Sequence, residues 1–250
     1  MGKHVTSINS KLRSSLIFSF LYILSNFTFT QGSIQKITTD FEEIFQLTNC
    51  WDAHQDAEGF IWIGSTKGLV RFDGLNLKYY RNNPNDPGSI ASDNVLSIAE
   101  DAAGNFWLSL PGEGMDMYDV KTNQFIHFRE QMESEGIMLN TISLYCDSQN
   151  KVWIGNQGGD MAYYDIAAKR FSLFSERLQD LRKISKPLIV TDFEEDKEGN
   201  IWIALYSRLA RYERSTDSLT FFEGPSSSPY MVQIEIDSMG KLWVGDKLNG

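Results

Sequence analysis

Five aspartates each stand six residues ahead of a tryptophan: Asp56 and Trp62, Asp101 and Trp107, Asp147 and Trp153, Asp196 and Trp202, Asp237 and Trp243. A recurring carboxylate invites comparison with a calcium ligand or a catalytic acid. A calcium loop, however, gathers several oxygen ligands within a few residues, as in DxDxDG, and each of these aspartates stands alone. Their chemistry is that of a turn: an Asp at the head of a tight turn accepts backbone N–H groups two residues on, and Gly or Asn three places later supplies positive φ. Gly59, Gly104, Asn150, Gly199 and Gly240 occupy that place. Other acids, Asp52, Asp192 and Glu235, are scattered along the runs before these turns and form no pair for general acid–base work.

The remaining reactive residues are sparse. His4 lies near the N-terminus, His54 at the end of a β-like run and His127 within another, and no HxxxH, HExxH or CxxC pairing offers a zinc site. No GxSxG elbow, phosphate-binding glycine loop or dinucleotide fingerprint is present, so neither a catalytic centre, a metal nor a cofactor is expected. Cys50 and Cys146 fall two repeats apart, too far for the roughly 7 Å Cα separation a disulfide requires, and read as two small buried or half-buried thiols.

The elements that carry the aspartates repeat as a unit. The tryptophans at 62, 107, 153, 202 and 243 are spaced by 45, 46, 49 and 41 residues, a period of propeller blades rather than of helical or leucine-rich solenoids. A β-like run precedes each Asp, the tryptophan run follows it, and a third run ends at Phe72, Tyr118, Tyr164 and Tyr212. A fourth, aromatic run lies at 77–80, 125–128, 171–174 and 219–222. The tryptophan triplets are apolar at consecutive positions, which requires burial on both faces, and they lack helical periodicity. The fold class is therefore all-β, a β-propeller of four-stranded blades with four complete blades and one partial blade. Rings that recur at one place in every blade are packing residues, since a single ligand would not need them four times.

The combination of DxxGx(apolar)W, a following G(L/M)xx(F/Y)D and an aromatic outer run resembles the two-component regulator propeller repeat of hybrid two-component histidine kinases. The connector RNNPNDPGSIASDNV, residues 81–95, is similar to the Asn-Asp-Pro-rich segment between early blades of those sensors. The likeness covers roughly residues 48–250. It departs from the family pattern at Asn150, at Ser207 and Arg208 where other repeats carry Gly, and in the fifth repeat, which stops after its second strand. The sialidase Asp-box looks related, but its Asp-to-Gly and Asp-to-aromatic spacings are each one residue shorter.

The resemblance implies an exported, periplasmic ligand-sensing domain, not itself an enzyme, whose parent protein is a sensor histidine kinase. It also implies an oligosaccharide or other small-molecule ligand, downstream blades and kinase modules as partners, and a homodimer of the full-length protein. Two other readings compete with it: a free-standing scaffold for protein association, and a propeller glycosidase or lyase. Variable loops on a rigid scaffold are where recognition resides, so Asn156, Gln157, Tyr206 and Arg208 are the candidate ligand-binding residues.

Residues 1–32 read as a signal peptide: Lys3, Lys11 and Arg13 precede a short apolar stretch, residues 14–25, and no acid occurs before position 32. Residues 33–250 are then the sensor domain. The chain carries a net charge of -10, which repels nucleic-acid phosphate and anionic lipid.

Overall fold

A computed structural model describes residues 49–158, 161–174, 189–205, 208–223 and 231–246. The signal-peptide segment lies outside the described residues. The chain divides into two compact units, one ending at Glu130 and the other running on from Gln131.

The first unit holds two antiparallel four-stranded sheets. The first blade is β1 (Cys50–Gln55), β2 (Ile61–Ser65), β3 (Gly68–Phe72) and β4 (Leu77–Tyr80). The second is β5 (Ser97–Glu100), β6 (Phe106–Leu110), β7 (Gly114–Asp119) and β8 (Gln124–His127). The second unit holds a third blade of β9 (Thr141–Cys146), β10 (Lys151–Asn156), β11 (Met161–Asp165) and β12 (Arg170–Leu173), and a fourth of β13 (Val190–Glu195), β14 (Ile201–Leu205), β15 (Arg208–Glu213) and β16 (Ser218–Glu223). A two-stranded fifth sheet pairs β17 (Met231–Ile236) with β18 (Leu242–Asp246). Strands in every complete blade follow chain order from inner to outer edge, the β-propeller blade arrangement.

The repeated turn is built as its residue types require. In the second blade, Asp101 Oδ1 accepts the backbone N–H groups of Ala103 and Asn105 at 2.9 Å each. The fourth turn residue adopts positive φ in all five repeats: 91° at Gly59, 81° at Gly104, 59° at Asn150, 81° at Gly199 and 78° at Gly240. Asparagine tolerates this left-handed region, which explains Asn150 in place of glycine. The other aspartate oxygen accepts the indole N–H of the tryptophan six residues on, at 2.8 Å for Trp62, 3.1 Å for Trp107, 2.7 Å for Trp153, 3.0 Å for Trp202 and 2.9 Å for Trp243. One carboxylate thus closes the hairpin and fixes the ring that fills the core.

In the four complete blades the tryptophan strand is largely enclosed on both faces; β2 and β6 are buried throughout. Within the first unit, Trp62 reaches across to the second blade, its ring 4.2 Å from Phe106 and 5.5 Å from Tyr118. Within the second unit, Trp153 stands 6.1 Å from Phe193 and 6.0 Å from Tyr212 of the fourth blade. At Gly155 a Cβ would come within 2.8 Å of the Val190 carbonyl oxygen, so the approach of the next blade calls for glycine after this tryptophan run.

The connectors after the first and second blades are packed segments. Ile90 and Val95 of the 81–95 connector are fully buried. His127 pins this connector, with Nδ1 2.9 Å from Asp116 Oδ1 and Nε2 2.9 Å from the Pro87 carbonyl oxygen. Both partners present oxygens to the ring, an arrangement that favours the doubly protonated imidazole. Burial opposes that charge, but the bond to Asp116, its charge and the Pro87 carbonyl outweigh it and raise the imidazole above its ordinary value. The connector after the second blade begins with a short helix, α1 (Arg129–Ser134), which the strand-only expectation missed. Its Met132 is fully buried, and Gln131 donates to the Lys169 carbonyl at the head of β12. Cys50 opens β1 and Cys146 closes β9; both are half-buried and no disulfide joins them.

Candidate functional site

The four loop residues expected to meet a ligand have different fates. Asn156 is no loop tip: it is the last residue of β10, pairs with Thr141 and is fully buried. An extra residue in the ladder carried it inside, at the position that Ser65 holds in the first blade. Its amide oxygen and nitrogen both lack a hydrogen-bond partner among the described residues. An unsatisfied buried amide costs about 1–3 kcal/mol, which sets this side chain apart from the satisfied Ser65 hydroxyl at the same place in the first blade. Gln157 follows on the exposed turn, its Oε1 accepting from Asn140 Nδ2 at 2.6 Å. Arg208 opens β15, half-buried and paired through its backbone with Leu205. Tyr206 lies outside the described residues. Asn156 with Gln157 lies at one end of the third blade, and Arg208 at the corresponding end of the fourth.

The inner strands carry a constellation that reading the acids singly did not reveal. Asp52 accepts the N–H of Ile98, in the next blade's inner strand, at 2.8 Å, and Asp192 accepts that of Ile234 at 2.8 Å. At the same repeat position, Ser143 donates its hydroxyl to the Val190 carbonyl at 3.1 Å. These acids therefore latch one blade to the next, and a small polar residue at the third place of the inner run was the signal. His54 Nε2 meets Glu100 Oε2 at 2.6 Å in the first unit, and the Tyr145 hydroxyl accepts the Glu195 N–H at 3.2 Å in the second.

Glu194 differs from these. Burial, followed by the charges of Glu235 and Asp192, pushes its carboxyl up to about 8. The folded state therefore holds a proton there that the unfolded chain releases near its ordinary value. The resulting stability is full below that ordinary value and lost as pH rises through about 8. Glu194→Gln, which cannot ionise, should raise the urea midpoint relative to the parent at pH 9 and leave it unchanged at pH 4. An equal difference at both pH values would exclude ionisation of Glu194 as the cause. Among the described residues no group of three or more His, Cys, Asp or Glu could hold a metal ion, and no helix is long and apolar enough to cross a membrane.

Blades, turns and latches of this kind define a β-propeller. No family model matches the chain. It is 40% identical over 83 residues to "Histidine kinase P4" of Formosa agariphila, a match that takes in 31% of this chain and 6% of that protein. Its fold is similar to the extracellular domain of a protein from B. thetaiotaomicron described as a hybrid two-component system, with a TM-score of 0.67, 22% identity, and coverage of 81% of this chain and 26% of that one. A second such extracellular domain from B. thetaiotaomicron gives a TM-score of 0.55 at 19% identity, over 80% of this chain and 31% of that one. Virginiamycin B lyase from Staphylococcus aureus shares the fold as well, with a TM-score of 0.60 at 12% identity, over 80% of this chain and 64% of that one. The chain thus spans a small part of the histidine kinase and about a third or less of the two extracellular domains. The all-β propeller expectation is borne out, and the likeness to two-component sensors recurs in both sequence and fold.

Proposed function

We propose that this chain is the ligand-sensing propeller of a two-component system, exported to the periplasm behind a signal peptide at residues 1–32, with residues 33–250 forming the sensor part. The observation that carries this reading is the 83-residue likeness to a histidine kinase, over a chain whose fold also matches extracellular domains of hybrid two-component systems. A lyase with the same fold supports caution about the fold alone, since folds host unrelated functions. For sensing rather than catalysis speaks the use of inner-strand acids as latches. In this reading an oligosaccharide is bound at the loop face by Gln157, Tyr206 and Arg208, with Asn156 completing its hydrogen bonds to ligand or to an ordered water. Kinase modules of the parent protein, which dimerises, carry the signal onward.

The test is calorimetric titration of the chain with a panel of neutral oligosaccharides. One glycan class should bind saturably, and Arg208→Ala should weaken it about tenfold, the loss of one charge-assisted hydrogen bond. A panel without any binder, or binding followed by cleavage of the glycan, would defeat the sensor reading.

A further inference from the structure

The third and fourth blades, both in the second unit, border an open cleft of about 470 Å³ at the turn end of the tryptophan strand, opposite the end that carries Asn156. Gln149, Lys151, Tyr163, Ser172, Tyr212 and Arg214 line it, over Trp153, Leu173 and Phe174. Its size falls within that of small-molecule sites, which run from about 300 to 1,000 Å³.

The first blade shows why the space exists. Strand register places Arg71 opposite Trp62 and Lys78 opposite Arg71, as it places Tyr163 opposite Trp153 and Ser172 opposite Tyr163. In the first blade the long cations close the region: the Arg71 guanidinium lies 4.5 Å from the Phe60 ring centre and 5.7 Å from Trp62, and Lys78 Nζ lies 4.6 Å from Tyr80. In the third blade a serine stands where Lys78 does, a tyrosine where Arg71 does, and Lys151 where Phe60 does. The blade has lost its own lid and gained a cation beside the opening.

The lining has a definite chemical sense. Both of its charged residues are cations and none of it is acidic, in a chain of net charge -10. Lys151 Nζ sits 4.9 Å over the Tyr163 ring and meets no carboxylate among the described residues. Arg214 spends one N–H on Asp147 at 2.6 Å and another on Glu195 at 3.0 Å, which leaves three of its five donors. The Tyr163 and Ser172 hydroxyls and the Gln149 amide have no partner among the described residues. Tyr163 and Tyr212, both half-buried, add flat surface on which a ring can lie.

We propose that this cavity binds a small ring carboxylate, the carboxylate held by Lys151 and the remaining Arg214 donors and the ring resting against Tyr163 and Leu173. The site does not depend on the sensor reading. The probes are benzoate and glucuronate, an aromatic acid and a sugar acid, each beside its neutral counterpart, benzamide or glucose, titrated into the whole chain at low salt. At least one acid should bind saturably, about tenfold or more tighter than its counterpart, and weaken as salt rises. Which acid binds tells the source of the ring. Lys151→Phe and Gln149→Glu install the residues that Phe60 and Glu58 already supply at these repeat positions, so the blade tolerates them. Each should weaken binding about tenfold while leaving the urea midpoint unchanged. Because Gln149 lies on an exposed turn, its variant keeps the test valid even where Lys151→Phe disturbs folding. Failure of both acids to saturate, equal binding of a neutral counterpart, or undiminished binding in the variants would each overturn the site.

Discussion

Trp62→Ala is expected to lower stability by about 3–5 kcal/mol, the range for truncating a buried aromatic side chain. The ring is 2% exposed and lies against Phe106 and Tyr118 of the second blade and Tyr80 of its own. Its loss opens a cavity at the joint between two sheets, where neither backbone can move inward without disturbing its own ladder. Trp62→Phe should fall between parent and alanine variant, because it keeps most of the volume but leaves Asp56 Oδ2 without the indole N–H at 2.8 Å. Met239→Ala, at a residue 83% exposed, serves as the reference. Urea midpoints that coincide for Trp62→Ala and Met239→Ala, at equal slopes, would refute the packing role assigned to the recurring tryptophans.

Asp147→Ala should cost a similar amount for a different reason. This buried carboxylate accepts the N–H groups of Gln149 and Lys151 at 2.9 Å each, the Trp153 indole at 2.7 Å and the Arg214 guanidinium at 2.6 Å. Removing one partner of a buried ion pair costs about 3–5 kcal/mol, since the other charge stays behind with fewer partners. Arg214 would keep only Glu195. The second blade carries Val120 at the corresponding position, so Arg214→Val offers a background in which the stranded charge is absent. The cost of Asp147→Ala should shrink in that background, and a double-mutant cycle measures by how much. Identical costs with and without Arg214 would show that the turn alone, and not the ion pair, needs this aspartate.

What could be read from the chain was what the chain says more than once. The Asp turns, the doubly buried tryptophan runs and the four-strand count recur in register, and each repetition checks the others. Features that occur once had no such check. Helix α1 hides in a single connector, and its only sign was Met132 among charged residues. Asn156 was placed in a loop because its neighbours Gln157 and Gly158 are turn formers, whereas the strand runs one residue further. The cavity depends on a difference between blades: Ser172 looks unremarkable in an outer strand until Lys78 is seen folded over a ring in the same place. The second duty of each aspartate, holding the indole six residues away, was visible as a constant spacing but is a tertiary contact, and turn chemistry alone does not predict it.

The inner-strand latches have a direction. In each, the side chain belongs to the earlier blade and the backbone group to the later one: Asp52 takes the N–H of Ile98, Ser143 gives to the Val190 carbonyl, and Asp192 takes the N–H of Ile234. A chain exported behind a signal peptide emerges N-terminus first, so an early blade can stand with its carboxylate or hydroxyl in place and nothing yet to hold. Until the next inner strand arrives, that side chain has water in place of its backbone partner. The joints therefore close in chain order, each one waiting on the inner strand of the following blade.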